Sequence, residues 1–310
     1  MKHNNFNLMR LIFSILVVFS HSFGLLNLDE PTIFHRSFGN FAVHCFFAVS
    51  GYFITLSFVR STNFSEFTIK RILRILPAYI IAYLLGKILA NLGNGFIDNP
   101  VPYIINGPIW TLSWEIFCYL IIGMIGFLGL LNSSILGSVW IVSFILILIN
   151  STSQAQVYQV IIPLLFLFLS GAFIALHEEK IKMKYAGLAS VVLLFLLEFF
   201  PESLSKLISS LPWLYGPGFS SYILDYFVYL LILPPALIYI GKYLNVNMVL
   251  KHDISYGVYI YTWPVQQFLI YYATLKSLNI TPYSLFIISI IISSSLSFLS
   301  WIFVEKKLLI

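Results

Sequence analysis

Long apolar blocks separated by short polar segments make up almost the whole chain. The blocks lack the strict alternation of a membrane β-barrel, so each is interpreted as a helix, which satisfies its own backbone hydrogen bonds in lipid. A window of about 19 residues predicts about ten membrane-spanning helices. These predicted helices centre near Val17, Val49, Ile81, Tyr119, Phe144, Leu167, Leu194, Leu231, Phe268 and Ile291. The pattern therefore predicts an all-α fold, a polytopic transmembrane helical bundle.

Two of the apolar blocks can be divided or assigned in more than one way. The first resembles a secretory signal peptide, because Lys2 and Arg10 precede an apolar run, but residues 20–23 offer no small-x-small cleavage site. We interpret this block as a retained first helix. The other block, residues 123–150, is divided into two helices only by the turn-like Asn132-Ser133-Ser134, so the count can differ by one.

Composition excludes a water-soluble protein. The 310 residues are 59% hydrophobic and 9% charged, whereas about a quarter of the residues are charged in soluble domains. No polar stretch is long enough to build a second core of its own. We therefore predict one transmembrane domain that covers residues 1–310.

The basic residues predict the orientation of the bundle. With a cytoplasmic N-terminus, most of them fall on cytoplasmic segments, as the positive-inside rule requires. The cytoplasmic set is Lys2, Arg60, Lys70, Arg71, Arg74, Lys180, Lys182, Lys184, Lys242, Lys251, Lys306 and Lys307, and the outer set is Arg36, Lys206 and Lys276. Both termini are therefore predicted to be cytoplasmic. The net charge of +5 is then a topology signal and requires no nucleic-acid partner.

Several classes of chemistry have no support in the sequence. The two cysteines, Cys45 and Cys118, lie within predicted helices and form neither a disulfide framework nor a metal-ligand pattern. No phosphate-binding loop of the ATPase type is present, so ATP-driven transport is not indicated. We expect no bound metal and no bound cofactor. Any chemistry should involve ionisable residues within or near the spans, because such residues are costly in lipid.

The first predicted helix carries a polar stripe. Arg10 and His21 are eleven positions apart, which places them on one helical face and about 16 Å apart along the axis. Asn7 and Ser14 fall on the same stripe. A polar stripe on an apolar helix should face protein or water, so we expect it to line an interior site. The alternative is that Arg10 extends to lipid headgroups and His21 lies at the outer interface.

An acidic residue follows near the start of the fourth predicted helix. Glu115 lies about two turns from Pro108, which is too deep for an ordinary N-terminal cap. The predicted topology places Glu115 and His21 in the same leaflet, where a carboxylate could orient the imidazole for proton transfer. The alternatives are a structural ion pair or a protonated Glu115, with the neighbouring tryptophans as interface anchors.

Two arginines follow the second predicted helix. Arg71 and Arg74 share a helical face, which suits multidentate binding of a phosphate-rich ligand. The alternative is a purely topogenic role, since arginines are expected beside a cytoplasmic membrane surface in any case.

Helices two and nine carry further polar groups. His44 lies near the outer end of helix two as either a proton carrier or a satisfied interior group, and Ser50-Gly51 permits close helix packing or a bend. In helix nine, Pro264 frees a backbone carbonyl and predicts a kink. Aromatic and amide groups could bind a sugar, and helix packing is the alternative for each. The candidate sugar-binding residues are Trp110, Tyr256, Tyr259 and Gln266.

Taken together, these segments resemble the acyltransferase-3 family of integral membrane O-acyltransferases. The similarity comprises Arg10 and His21 with ten residues between them, FFAVSGY at 46–52, RILRILPAY at 71–79, GPIWTLSWE at 107–115, SYGVY at 255–259 and WP at 263–264. Each motif is weak by itself, but their order across nearly the whole chain is specific. The resemblance implies a ten-helix acyltransferase domain that moves an acyl group, most often acetyl from cytoplasmic acetyl-CoA, onto a hydroxyl of an envelope or exported carbohydrate. It also implies a bacterial inner-membrane location.

The chain departs from the family pattern in two places. Many members have His at the position of Thr262, so a second histidine role is not carried over. Many also have an extracytoplasmic hydrolase-like domain after the bundle. We expect this chain to resemble the short, bundle-only members that modify exopolysaccharide, capsule or lipid-linked sugars.

The residues and the resemblance suggest one mechanism. Arg71 and Arg74, with Arg10, are expected to hold the phosphates of acetyl-CoA. His21 is expected to act as general base or transient acyl carrier, oriented by Glu115. The expected partners are membrane lipids, the acyl-CoA and a carbohydrate or lipid-linked sugar. The alternatives are a transporter of such an intermediate and a catalytically silent partner in polysaccharide export.

Overall fold

The computed structural model describes residues 5–150, 155–178, 180–200, 221–244, 246, 250 and 252–308. In that part of the chain, ten helices have 16 residues or more. They are α1 (Phe6–Gly24), α2 (Phe38–Arg60), α3 (Phe64–Leu92), α4 (Ile109–Phe127), α5 (Ser133–Ile149), α6 (Ile162–His177), α7 (Met183–Phe199), α8 (Ser221–Lys242), α9 (Ser255–Leu275) and α10 (Pro282–Ser300). Each contains one of the ten predicted helix centres, so the predicted helical bundle is confirmed at the level of its helices.

Shorter elements complete the described chain. A two-residue hairpin of β1 (Thr32–Ile33) and β2 (Arg36–Ser37) lies between α1 and α2. A 3₁₀ turn (Asn94–Phe96) follows α3, a π-helical turn (Val157–Ile161) leads into α6, and another (Trp301–Glu305) joins α10 to the short α11 (Lys306–Leu308).

Helix length and hydropathy identify a multi-pass membrane protein. Seven helical segments of the described chain are long and apolar enough to cross a membrane. Helices α5 and α7 have 17 residues each, and α9 has 21 residues but a more polar sequence. The number of crossings and the side of each terminus stay predictions. Three of the basic residues used for the orientation, Lys2, Lys206 and Lys251, lie outside the described residues.

Polar side chains fix the starts of several helices. Asn132 precedes α5, and its side chain accepts a hydrogen bond from the backbone N–H of Ile135 at 3.0 Å. Asn63 does the same for Glu66 at the start of α3, at 2.9 Å. These contacts satisfy N–H groups that have no partner within the helix. The predicted division of residues 123–150 at Asn132 is therefore confirmed.

The chain forms two compact units. The first comprises residues 1–43, 62–116 and 246–310, and the second comprises residues 44–61 and 117–245. In the first unit, α9 packs against α10, α1 and α3. Most of α9 is buried, including the fully buried Tyr261. Helix α9 is therefore the central helix of the unit that carries the residues of the expected mechanism and the candidate sugar-binding residues. The prediction of one domain over residues 1–310 stays a prediction.

Two glycines allow close contact between helices in the second unit. A Cβ at Gly51 of α2 would overlap the backbone carbonyl of Phe168 in α6, and a Cβ at Gly171 of α6 would overlap the carbonyl of Ala48. Small residues are typical where membrane helices approach backbone to backbone. The predicted close packing at Ser50-Gly51 is confirmed.

We expect Gly51→Ala to destabilise the protein by about 1–3 kcal/mol, because the added methyl group meets a backbone atom that cannot rotate away. Gly137→Ala in α5 is the matched control, since a Cβ there meets Phe173 at an ordinary 3.7 Å. Thermal unfolding in detergent measures both variants. Equal melting temperatures for the two would contradict the assigned contact.

Candidate active site

The polar stripe of α1 faces α9. The hydroxyl of Ser14 is buried and donates to the carbonyl of Ser255 at 2.7 Å. One turn earlier Arg10 pairs with Asp253, and two turns later the His21 ring contacts Trp263. These pairs advance together along both chains, so α1 and α9 run parallel. The stripe therefore lies against protein, with Arg10 at one end and His21 at the other.

Arg10 and Arg74 converge on Asp253. The Oδ2 atom of Asp253 accepts from Arg10 Nη1 at 3.4 Å and from Arg74 Nη2. Its Oδ1 atom accepts from the Ser255 hydroxyl at 2.5 Å and from the Ser255 N–H at 3.3 Å. Arg71 lies one turn before Arg74 on α3 and is half-buried. We call Arg10, Arg74 and Asp253 the arginine cluster.

Electrostatics keep Asp253 ionised. Burial would raise the pKa of its carboxyl, but the charges of Arg74 and Arg10 and the hydrogen bonds from Ser255 and Arg74 outweigh burial and lower the pKa from 3.8 to about 2. The carboxylate is thus negatively charged at neutral pH. Both arginine side chains remain partly exposed, at 24% for Arg10 and 28% for Arg74, whereas Asp253 is only 10% exposed. The two arginine side chains are thus more accessible than the carboxylate between them.

The other end of the stripe is built around His21 and Trp263. Their rings meet edge to face, with centroids 4.8 Å apart and planes at 85°. The indole Nε1 of Trp263 donates to the carbonyl of Ile104 at 3.0 Å. A Cβ at Gly107 would approach the six-membered ring of Trp263 to 2.8 Å. The absence of a side chain at Gly107 therefore leaves the space that Trp263 occupies beside His21.

The segment between α3 and α4 is fastened to α9 by amide groups. Pro264 has no N–H to offer the carbonyl of Ile260, and the side-chain amide of Asn106 donates to that carbonyl at 2.9 Å. The Asn99 amide donates to the carbonyl and side-chain oxygen of Gln267 at 2.8 and 2.7 Å. The predicted freed carbonyl at Pro264 is thus satisfied by a neighbouring segment, as membrane-embedded prolines require.

Three of the candidate sugar-binding residues make contacts between helices. Gln266 is fully buried, and its amide donates to the carbonyl of Val18 at 3.1 Å and to the Ser22 hydroxyl at 2.7 Å. The Tyr256 hydroxyl donates to the carbonyl of Ile75 in α3 at 3.3 Å.

The Tyr259 hydroxyl lies 2.5 Å from that of Thr111, at the start of α4. Glu115 lies one turn further along α4 and is half-buried. Trp110 is 43% exposed. The roles of these residues in binding, and the pairing of Glu115 with His21, stay predictions.

A family model described as an acyltransferase domain matches residues 3–302, nearly the whole chain. The chain belongs to the acyltransferase-3 family. The O-acetyl transferase of Shigella phage Sf6 is 29% identical to it over 99% of this chain and 96% of that protein. Nodulation protein 10 of Rhizobium leguminosarum bv. viciae is 31% identical over 44% of this chain and 40% of that protein. No solved structure matches the chain.

Family membership and helical architecture together identify a membrane-embedded acyltransferase. The motifs quoted from the sequence all belong to the matched region. Within this acyltransferase, the first compact unit contains Arg10, His21, Arg71, Arg74 and Glu115. These five groups, to which the expected mechanism assigns roles, therefore belong to one unit and lie on α1, α3 and α4.

His44 of this acyltransferase belongs to the second unit. It is buried in α2, and its Nδ1 lies 3.1 Å from the hydroxyl of Tyr229 in α8. This contact agrees with the interpretation of a satisfied interior group.

A cavity of about 280 Å³ opens between α3 and α10 of the acyltransferase. Its walls include Ile81, Leu85, Leu296 and Phe303, and none of the predicted site residues lines it. An apolar lining suits hydrocarbon rather than a sugar, which needs polar partners. This cavity is therefore not a candidate for the acceptor site.

Asp253 is the residue of the site that sequence reasoning missed. It follows Lys251 and His252 in a predicted cytoplasmic segment, where a charged residue is ordinarily solvated. One signal was present, because an acidic residue two positions before Ser255 suits the N-terminus of a helix. Nothing local indicated that two arginines from distant helices would meet it.

We expect Gly107→Ala to lower acyl transfer by about tenfold or more while the protein remains folded, because its methyl group displaces the Trp263 ring that contacts His21. Transfer rate and melting temperature are measured together. A variant with wild-type transfer would show that the Trp263 position is unimportant. Gly137→Ala serves again as the control, since it adds the same methyl group in the other unit.

Proposed function

We propose that this acyltransferase moves an acetyl group from acetyl-CoA to a hydroxyl of an envelope or exported carbohydrate. The observation that supports the proposal is the parallel pairing of α1 with α9. It places the arginine cluster at one end of the polar stripe and His21 at the other, about 16 Å away along the axis. Under the positive-inside rule the arginine end is cytoplasmic.

The arginine end suits the donor. Guanidinium groups bind phosphate oxygens through paired, charge-assisted hydrogen bonds. Arg10 and Arg74 converge from different helices and keep part of their surface exposed, and Arg71 lies one turn away. A nucleotide with several phosphates is the type of donor that such a cluster recognises, and acetyl-CoA is one. The acetyl-bearing arm would then extend from the arginine cluster towards His21.

The histidine end suits the transfer step. As general base, His21 takes the proton of the acceptor hydroxyl while the hydroxyl oxygen forms a bond to the thioester carbonyl carbon. The carbon–sulfur bond then breaks, and the released thiolate of CoA receives the proton. As transient carrier, the imidazole nitrogen would attack the thioester carbonyl first and release CoA as the thiolate. The acceptor hydroxyl would then take the acetyl group from the imidazole, and its proton would pass through the freed imidazole to the thiolate. In both routes Glu115 is proposed to orient the ring, and Trp110, Tyr256, Tyr259 and Gln266 to contact the substrates.

One of the relatives supports acetyl as the group transferred. The full-length relative from Shigella phage Sf6 carries the name O-acetyl transferase. A transporter of the same carbohydrate would need no acyl donor, so CoA binding separates these two functions. The proposed location is the inner membrane of a bacterium, with both termini in the cytoplasm.

Mass spectrometry of surface glycans tests the proposed function. Cells that carry the protein should show an added acetyl mass on one sugar, and cells that lack it should not. Loss of CoA binding by the purified protein together with unchanged glycan masses would contradict the proposal.

We expect His21→Asn to reduce transfer by a factor of about 100 or more, since general bases contribute about 10²–10⁴-fold. His35→Asn is the matched control. His35 is exposed in the β1–β2 turn with φ of 57°, a conformation that asparagine tolerates. The assay is acetyl transfer in membranes with equal amounts of each protein. Full activity in His21→Asn would exclude both proposed roles of the imidazole.

We expect Arg74→Ala to raise the KM for acetyl-CoA by about 10–100-fold, because each hydrogen bond to a charged group contributes about 1.5–3 kcal/mol. Lys70→Ala is the control, since Lys70 is an exposed cation on the same helix that pairs with Glu66. Initial rates at varied donor concentration give both constants. Equal KM values in the two variants would remove Arg74 from the donor site.

A further inference from the structure

Asp253 lies between the two arginines that the proposed function assigns to the donor. We propose that Asp253 is a positioning residue, which holds Arg10 and Arg74 in the arrangement that binds the phosphates of the acyl donor. This inference rests on the proposed function. It assigns a role to a residue that touches the arginines rather than the donor.

The carboxylate has a separate task for each oxygen. Oδ1 is held from behind by the hydroxyl and N–H of Ser255, at 2.5 and 3.3 Å. Oδ2 is thereby directed to Arg10 Nη1 at 3.4 Å and to Arg74 Nη2. Ser255 is itself fixed, because its carbonyl accepts from the Ser14 hydroxyl of α1 at 2.7 Å. Ser255 of α9, itself hydrogen-bonded to α1, thus holds the Asp253 carboxylate independently of either guanidinium group.

The side chains of the arginine cluster differ in their exposure to solvent. The Asp253 side chain is 10% exposed, against 24% for Arg10 and 28% for Arg74. Both arginine side chains are therefore more accessible than the carboxylate that pairs with them, and a phosphate can approach them from the exposed part of the cluster.

Preorganisation explains why an acid benefits an anion site. Two guanidinium groups repel each other, and each side chain loses rotational freedom when a ligand fixes it. Asp253 offsets one positive charge and orders both side chains before the donor arrives. One carboxylate against two guanidinium groups still leaves the cluster with a positive charge.

The negative charge of Asp253, taken by itself, would have the opposite effect on donor affinity. If Asp253 acted only through its charge, it would repel the phosphates, and its neutralisation would strengthen donor binding. If it positions the arginines, its neutralisation weakens binding. The direction of the change in affinity therefore decides between the two accounts.

The experiment measures CoA binding to the purified full chain in detergent, together with KM and kcat for acetyl-CoA. We expect Asp253→Asn to weaken CoA binding and to raise KM by about tenfold, with kcat within about threefold of the wild-type value. Ser255→Ala, which removes one anchor and no charge, should shift both constants in the same direction by a smaller factor. Glu66→Gln is the control, since it neutralises an exposed acid on α3 that pairs with Lys70.

A second comparison shows whether Asp253 acts through the arginines. In an Arg74→Ala background, we expect Asp253→Asn to change CoA affinity much less than it does alone, because residues that act as one unit are not additive. Independent, fully multiplicative effects would overturn the proposal. Should Asp253→Asn fail to fold, Ser255→Ala decides by itself, and unchanged or tighter CoA binding in that variant overturns the proposal.

The outcomes for the donor and for Asp253 are distinguishable. Absence of CoA binding by the wild-type protein overturns the donor assignment and this inference together. Wild-type binding with equal or tighter binding by Asp253→Asn overturns this inference alone. An unchanged KM with a reduced kcat would also overturn it, because that pattern would place the effect of Asp253 on the chemical step.

Discussion

The polar contacts between α1 and α9 are the constraint on which the first unit depends. In the hydrocarbon region of a membrane, no water is present to hydrogen-bond with a hydroxyl, amide or guanidinium group, so each such group needs a partner within the protein. Ser14 donates to Ser255, Gln266 donates to Val18 and Ser22, and the two arginines pair with Asp253. These contacts recur along the shared length of the two helices, so their register is specified. The distance from the arginine cluster to His21 is a consequence of that register.

Catalysis in a membrane needs polar groups that the membrane itself disfavours. This acyltransferase meets the requirement by placing them between helices of one unit, where they satisfy one another. The arginine cluster keeps part of its surface accessible, whereas Gln266, Gln267 and several other hydrogen-bonded residues of α9 are buried. The residues proposed to recognise the donor are thus also residues that hold the bundle together. Changes at this interface are therefore expected to act on stability and on substrate binding together.

The sequence predicted the helices well because an apolar block long enough to cross a bilayer is a local property. All ten predicted centres lie in helices, and the break at Asn132 and the close approach at Gly51 follow from local chemistry too. Partners across helices are a different matter, because hydropathy and spacing define a face but not the neighbour. Asp253 was missed for this reason. Tyr256, Tyr259 and Gln266 were singled out as candidates for substrate binding, and the sequence could not show that other helices would contact them. The grouping of the helices into two units depends on the same long-range contacts.

Pro264 has a consequence for how relatives of this protein can vary. The proline deprives the carbonyl of Ile260 of a helical donor, and Asn106, far away in the chain, supplies the replacement. The Asn106 side chain supplies the hydrogen bond that Pro264 cannot make, so the effect of each residue depends on the other. A relative with an N–H at position 264 would not need the Asn106 side chain, whereas loss of Asn106 alone would leave the Ile260 carbonyl without this donor. The two positions are thus expected to be inherited as a pair, although 157 residues separate them.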